Sequence, residues 1–166
     1  MVGQVLATLD ELKLADRTLV IVTSDNGGMV NLTGQKAVRA GHRLNGDLLG
    51  FKFDAWEGGH RVPFIARWPG HIEPNSISDQ LICHVDMPAT LAAAAGREIK
   101  TGECPDSLNV LPALTGAPKE PIRRRAVLAP VRKTHLALRD ERWLYIGARG
   151  GGGFAGKVGQ HALGGP

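Results

Sequence analysis

The 166-residue sequence predicts an α/β domain with a small antiparallel sheet appended on its C-terminal side. Three observations carry this reading. Val2, Val5, Leu6, Leu9 and Leu12 recur at three- and four-residue steps, the apolar stripe of an amphipathic helix. After a turn at Asp16 and Arg17, residues 18–24 (TLVIVTS) form a continuous, largely β-branched run, the kind found in strands covered on both faces. From Ala126 the composition shifts to short strand signals, AVLAPV and then the arms HLAL and WLYI around the polar turn Arg139, Asp140, Glu141 and Arg142.

The elements between these follow in order. Residues 29–50 are polar and Gly-rich and read as a loop over the end of the first strand, of a length that in compact domains is often functional. A second strand is expected over residues 62–68, stopped by Pro69 and Gly70. Residues 78–96 hold an Ala-rich helix with Gly96 as its C-terminal cap. A Pro-punctuated connector over 102–121 then leads to the appended sheet. Residues 1–100 are therefore assigned to the α/β part, and residues 101–166 to a connector, a small antiparallel subdomain and a flexible Gly-rich tail. No internal repeat is present.

Composition narrows the function classes. At 43% hydrophobic the chain can bury a core, and 20 basic against 16 acidic residues is a mild surplus on a mixed surface. The densest basic run, Arg123 to Arg125, has no interleaved aromatic residues to stack bases, so nucleic acid is not an expected partner. No apolar run approaches the ~20 residues needed to span a bilayer, and no basic-then-apolar leader opens the chain, so localisation stays undefined. Cys83 and Cys104 lack CxxC spacing and read as two buried thiols or one disulfide. The first helix opens without a capping Ser, Thr, Asp or Asn, and the sequence from Gly150 on is flexible backbone with little to bury. The expectation is a piece of a longer protein, with a short independent domain as the alternative.

Three places carry candidate chemistry. Asp25 and Asn26 follow the first strand, where open α/β sheets bind ligands, and offer a carboxylate beside an amide carbonyl, hard oxygens suited to Ca²⁺ or Mg²⁺. Asp-Asn-Gly-Gly is equally an ordinary turn. Lys52 stands between Phe51 and Phe53, five residues before Glu57, Gly58 and Gly59, whose missing side chains would let backbone amides approach an anion. An ammonium there could donate three hydrogen bonds to a tetrahedral oxyanion, or simply snorkel to solvent. His60 and His42 either contact substrate or are solvated loop residues. Glu57 is catalytic or an anchor for its loop; Trp56 and Trp68 read as packing.

Taken together, TLVIVTSDNGG, Gly50-Phe51-Lys52, AWEGGHRVPFIARWPG and the HVDMPATL helix resemble, in this order, the second half of the formylglycine-dependent (type I) sulfatases, also called arylsulfatases. DSLNVLPALTG and HLALRDERWLYI resemble that family's C-terminal region, so the likeness covers most of the chain. It implies an alkaline-phosphatase-like α/β fold and hydrolysis of a sulfuric ester, with a sulfate ester, such as a sulfated glycan, as substrate. It further implies Asp25 and Asn26 as metal ligands, usually to Ca²⁺, and Lys52 as the catalytic lysine contacting the sulfate. His60 aligns with a variable position; its substrate-binding role rests on its own chemistry. Complete members are often secreted or periplasmic.

The departures are as informative. No Cys/Ser-x-Pro-x-Arg string, the source of the formylglycine nucleophile, occurs in these residues, and the N-terminal Asp-Asp of the metal shell is absent. Leu49 stands where many members have Arg. The expectation is thus a sulfatase fragment, inactive alone, holding half a metal site and the sulfate-binding lysine. Two other readings stay open: a phosphoester hydrolase of the alkaline phosphatase superfamily, and a non-catalytic remnant binding an anion or a partner.

Overall fold

In this computed structural model, residues 1–116, 118–130 and 133–153 are described, and they divide into two compact units. The first comprises residues 1–22 and 65–124; the second comprises residues 23–64 and 125–166. Each unit is therefore built from two stretches far apart in the chain.

The first unit opens with α1 (Val2–Glu11), which has Met1 at its N-cap and no side-chain cap. Its apolar stripe is present but only partly covered among the described residues: Leu6 and Leu9 are half-buried, while Val2, Val5 and Leu12 are exposed and no α1 residue is fully buried. The strand β1 (Val20–Thr23) pairs with β2 (Phe64–Arg67). β1 is half-buried, less covered than its β-branched run implies, because the described residues give it a single neighbouring strand. Arg67 donates to Asp10 at 3.0 Å and the Trp68 indole donates to the Asp16 carbonyl at 3.1 Å, so the strand–Trp segment is pinned to the end of α1 and the turn after it.

The Ala-rich segment becomes a 3₁₀ turn (His84–Asp86) followed by α3 (Met87–Ala94). Gly96 adopts φ 72° just past the last turn, as its expected role requires. Within the connector, Leu111–Thr115 forms the short helix α4. The tie that holds this region is Asp86, fully buried. Its carboxylate accepts from the amides of Cys83 at 2.8 Å and Leu108 at 3.0 Å, and pairs with the Arg123 guanidinium. Thr90 donates to the Asp86 carbonyl at 2.7 Å and accepts from the Val110 amide at 3.0 Å. Three separate chain segments thus meet on two side chains. Both cysteines are free thiols, Cys83 half-buried and Cys104 exposed, and burial pushes the Cys83 thiol up from its ordinary value.

The second unit begins after β1. Residues 29–50, read from sequence as loop, include the helix α2 (Leu32–Arg39). Asn31 caps it, its side chain accepting from the Gly34 amide at 2.8 Å. A largely polar helix of eight residues, with an internal glycine and set in a Gly-rich stretch, is too short to stand apart from loop by composition, which is why the loop reading failed. The appended sheet is antiparallel with order β3 (Ala126–Leu128), β4 (Ala137–Arg139), β5 (Leu144–Ile146). Val127 faces Leu138 and Leu138 faces Tyr145, while Ala126 and Ala137 turn inward and are buried. Asp140 closes the expected turn by accepting the amides of Arg142 and Trp143 at 2.9 and 2.7 Å. The sequence assigns residues 150–153 to a flexible tail, but Gly151 is buried and Gly152 and Gly153 are half-buried. The rest of that tail, 154–166, lies outside the described residues. Among the described residues no helix is long and apolar enough to cross a membrane.

Removing the carboxylate of Asp86 leaves the Arg123 charge and two amides without their acceptor. We expect Asp86→Ala to lower unfolding free energy by about 3–5 kcal/mol, measured by denaturant titration; a loss below about 1 kcal/mol would show that the tie is dispensable.

Candidate functional site

The site is built where two glycine pairs meet, both within the second unit. Gly27 donates to the Gly59 carbonyl at 3.1 Å, and a methyl group added to Gly27 would collide with the Gly58 carbonyl oxygen. Gly58 in turn lies directly on the Gly50 carbonyl, and Gly59 on that of Asp54. The backbones of Asp-Asn-Gly-Gly and Trp-Glu-Gly-Gly therefore touch with no side chain between them. The Gly58 amide donates to the Leu49 carbonyl at 2.7 Å and the Gly59 amide to the Trp56 carbonyl at 2.8 Å. This corrects the expectation that these amides are open to an anion: the glycines serve close packing, and their donors are already used.

Asn45, which sequence reasoning did not single out, locks the same region. Its Oδ1 accepts the Gly28 amide at 2.6 Å and its Nδ2 donates to the Gly50 carbonyl at 2.8 Å. The Lys52 amide donates to the Gly28 carbonyl at 2.9 Å, so the lysine's backbone hangs on the residue pair that follows Asn26. The outcome is a cavity of about 330 Å³ whose lining includes Asn26, Lys52, Asp54, Gly59 and His60, with Val127 to Pro130 as an apolar wall. A larger cavity of about 620 Å³ also touches Asn26, but its one charged lining residue, Arg61, is paired with Glu57, and Lys52 does not reach it. Of the residues predicted from sequence, Asn26, Lys52 and His60 come together. Asp25 is exposed beside them without lining this cavity, and His42 is exposed elsewhere in the loop.

Asp25 and Asn26 offer donors that suit a hard cation. Asn26 uses its amide nitrogen on the Gly27 carbonyl at 2.9 Å, and no hydrogen bond among the described residues occupies its Oδ1 or the Asp25 carboxylate. Two adjacent hard oxygens are thus free, the donor chemistry Ca²⁺ or Mg²⁺ requires. No cluster of three His, Cys, Asp or Glu side chains is found among the described residues, so the fit is to part of a coordination shell.

Two further polar groups, Glu57 and Asp54, are structural. Glu57 is bound by the Arg139 guanidinium and by Arg61 at 3.4 Å, which makes it an anchor between the Glu-Gly-Gly turn and β4. Asp54 is buried; desolvation raises its pKa above 3.8, opposed by hydrogen bonds from the Phe51 and Gly153 amides. His60 Nε2 lies 3.1 Å from the Ala55 carbonyl, which can only accept, so Nε2 carries the proton and Nδ1 is a lone-pair acceptor in the neutral ring. Burial lowers the His60 pKa below 6.5, against a bond to Ala55 and the Glu57 carboxylate that act to raise it, with Arg139 and Arg61 assisting the lowering. Asp54 and Asn45 were missed because each acts on the backbone of residues chosen by the fold, and no spacing rule marks them.

Comparisons with known proteins agree in kind. The Sulfatase family model matches residues 1–97. Rat (Rattus norvegicus) steryl-sulfatase is 44% identical over 115 residues, 69% of this chain and 20% of its own length. N-acetylgalactosamine-6-O-sulfatase of Bacteroides thetaiotaomicron is 35% identical over 150 residues, 87% of this chain and 28% of its own. A solved sulfatase from work on glycosaminoglycan metabolism by the same bacterium superposes with TM-score 0.76 at 34% identity, covering 87% of this chain and 30% of that one. The chain thus spans about a fifth to three tenths of the length of these relatives.

A lowered His60 pKa has a defined consequence for stability. The neutral ring contributes fully above the unfolded value of 6.5, and that contribution is lost as pH falls through the lower folded value. Thermal unfolding from pH 8 to pH 5 should therefore show a steeper loss for the wild type than for His60→Gln, whose amide can still donate to Ala55. Parallel profiles would contradict it.

Proposed function

Because this chain belongs to the sulfatase family and has its alkaline-phosphatase-like fold, we propose that it is the part of a sulfuric ester hydrolase that holds the leaving sulfate, with Lys52 as the group on the sulfate oxygens. The observation that supports this most directly is that Lys52 and Asn26 line one cavity.

Hydrolysis of a sulfate ester moves negative charge onto the ester oxygen while the sulfate keeps its own. A fixed ammonium within hydrogen-bond reach stabilises that charge more in the transition state than in the ground state, which is the condition for lowering the barrier. Asp25 and Asn26 would hold a divalent cation, Ca²⁺ or Mg²⁺, through their free oxygens; bound there, it supplies further positive charge to the same oxyanion. His60, neutral and with Nδ1 as acceptor, suits a substrate hydroxyl better than an oxyanion. A sugar offers such hydroxyls, and a relative is an N-acetylgalactosamine-6-O-sulfatase, so we assign a sulfated glycan as the substrate class. The apolar wall from Val127 to Pro130 would face the part of the ester beyond the sulfate.

The 166 residues contain no Cys/Ser-x-Pro-x-Arg, so nothing in them can become a formylglycine nucleophile. The partly exposed stripe of α1 and the partial metal shell fit the same reading, in which these residues work within a larger catalytic domain and are inactive alone.

The test has two arms, both on a chromogenic aryl sulfate with added Ca²⁺. The 166-residue chain should show no turnover above its Lys52→Ala variant; metal-dependent turnover above that control would overturn the fragment reading. In a protein carrying the missing catalytic half, Lys52→Ala should lower kcat about 10²–10³-fold, and an unchanged kcat would remove Lys52 from the chemistry.

A further inference from the structure

We propose that Asp54, held in place by the backbone of Gly153, is a positioning residue for Lys52. The proposal rests on the reading of Lys52 as the sulfate-binding group and adds how that group is aimed.

The loop around Lys52 is closed on itself by Asp54. Asp54 Oδ2 accepts the Phe51 amide at 2.8 Å, and the Asp54 amide donates to the Phe51 carbonyl at 2.9 Å. Phe51 and Asp54 are thus doubly linked, with Lys52 and Phe53 forming the bend between them. That bend is not one the chain adopts freely. Phe53 sits at φ 80°, a left-handed conformation that a residue with a Cβ resists at a cost of about 1–3 kcal/mol. Surrounding bonds must over-determine such a conformation for it to persist. Phe53 also bears on Lys52 directly, since the Lys52 Nζ lies 5.3 Å from its ring centroid. Fixing Phe53 therefore fixes the surface on which the ammonium rests.

Asp54 is in turn held from the far end of the described chain. Its Oδ1 accepts the Gly153 amide at 2.9 Å, and the neighbouring Ala55 amide donates to the Gly151 carbonyl at 2.7 Å. His135 Nε2 meets the Arg149 carbonyl at 3.1 Å, pinning the start of the same segment. Only glycine fits at the two contact points: a Cβ on Gly151 would lie 2.6 Å from Trp56 Cε3, and one on Gly153 would lie 2.8 Å from Asp54 Cγ. Asp54 is 3% exposed and each of its carboxylate oxygens accepts a main-chain N–H. It is arranged to hold backbone.

The experiment follows amide exchange and inorganic sulfate binding by NMR in the full 166-residue chain, comparing wild type, Asp54→Asn and Gly153→Ala. Asn keeps one acceptor oxygen and turns an NH₂ toward the other donor; Gly153→Ala leaves the carboxylate intact and pushes it aside. Both variants should exchange the Phe51 and Lys52 amides about tenfold faster and bind sulfate about tenfold more weakly at Lys52, with exchange in α3 unchanged. Unaltered Phe51 and Lys52 exchange in Asp54→Asn overturns the positioning role. Faster exchange throughout, α3 included, also overturns it, because the effect is then general unfolding. If the wild type shows no sulfate response at Lys52 while exchange changes as expected, the sulfate reading of Lys52 fails and the loop brace stands.

Discussion

The contact between Gly27 and the Gly58–Gly59 pair is the constraint on which the candidate site depends. Two irregular backbone segments, one following a strand and one following an aromatic loop, come close enough for a carbonyl of one to occupy the space a side chain of the other would need. A methyl group at this contact would push Asn26 and Lys52 apart, whatever their own chemistry. Asn45 adds a side-chain bridge nearby, accepting from the Gly28 amide and donating to the Gly50 carbonyl, and the Lys52 amide completes the set on Gly28. Close packing here acts as a positioning device: it converts residues 26 residues apart in the chain into neighbours around one cavity.

The same logic explains where charge is placed. Glu57 and Asp54 both lie near the cavity, yet Glu57 is neutralised by Arg139 and Arg61 while Asp54 is tied to amides. That leaves the Lys52 ammonium as the cation in the cavity lining without an ion-pair partner among the described residues, while the Asp54 carboxylate in the same lining is turned to main-chain amides. On the proposed reading, the ammonium would meet the sulfate anion, and the free oxygens of Asp25 and Asn26 would hold the cation.

Much of this was legible in the sequence because the signals were local. The stripe of α1, the run of β1, Gly96 at the end of α3 and the Asp140 turn each follow from neighbours within a few residues, and the structure has them. Lys52 and Asn26 were legible through the resemblance, since each sits in a short string of specific spacing. What could not be read was whatever depends on partners distant in sequence. The glycines of Trp-Glu-Gly-Gly look the same whether their amides face an anion or a carbonyl, and what decides it is the Leu49 carbonyl on the Gly58 amide and the Trp56 carbonyl on the Gly59 amide. Likewise Asp86 looks like an ordinary helix-start carboxylate until Arg123, 37 residues later, is brought against it.

Residues 150–153 make the same point in reverse. Glycine-rich sequence argues for freedom, because the residue lacks the Cβ that restricts φ and has nothing to bury. But the absence of a Cβ is also what allows backbone to lie flat against a tryptophan ring and a carboxylate, as Gly151 and Gly153 do. Which consequence prevails depends on whether a receiving surface exists, and Trp56 and Asp54 supply one. The glycines at the end of the described chain and those at the centre of the site thus share a physical use: each removes a side chain where another part of the chain needs the same space.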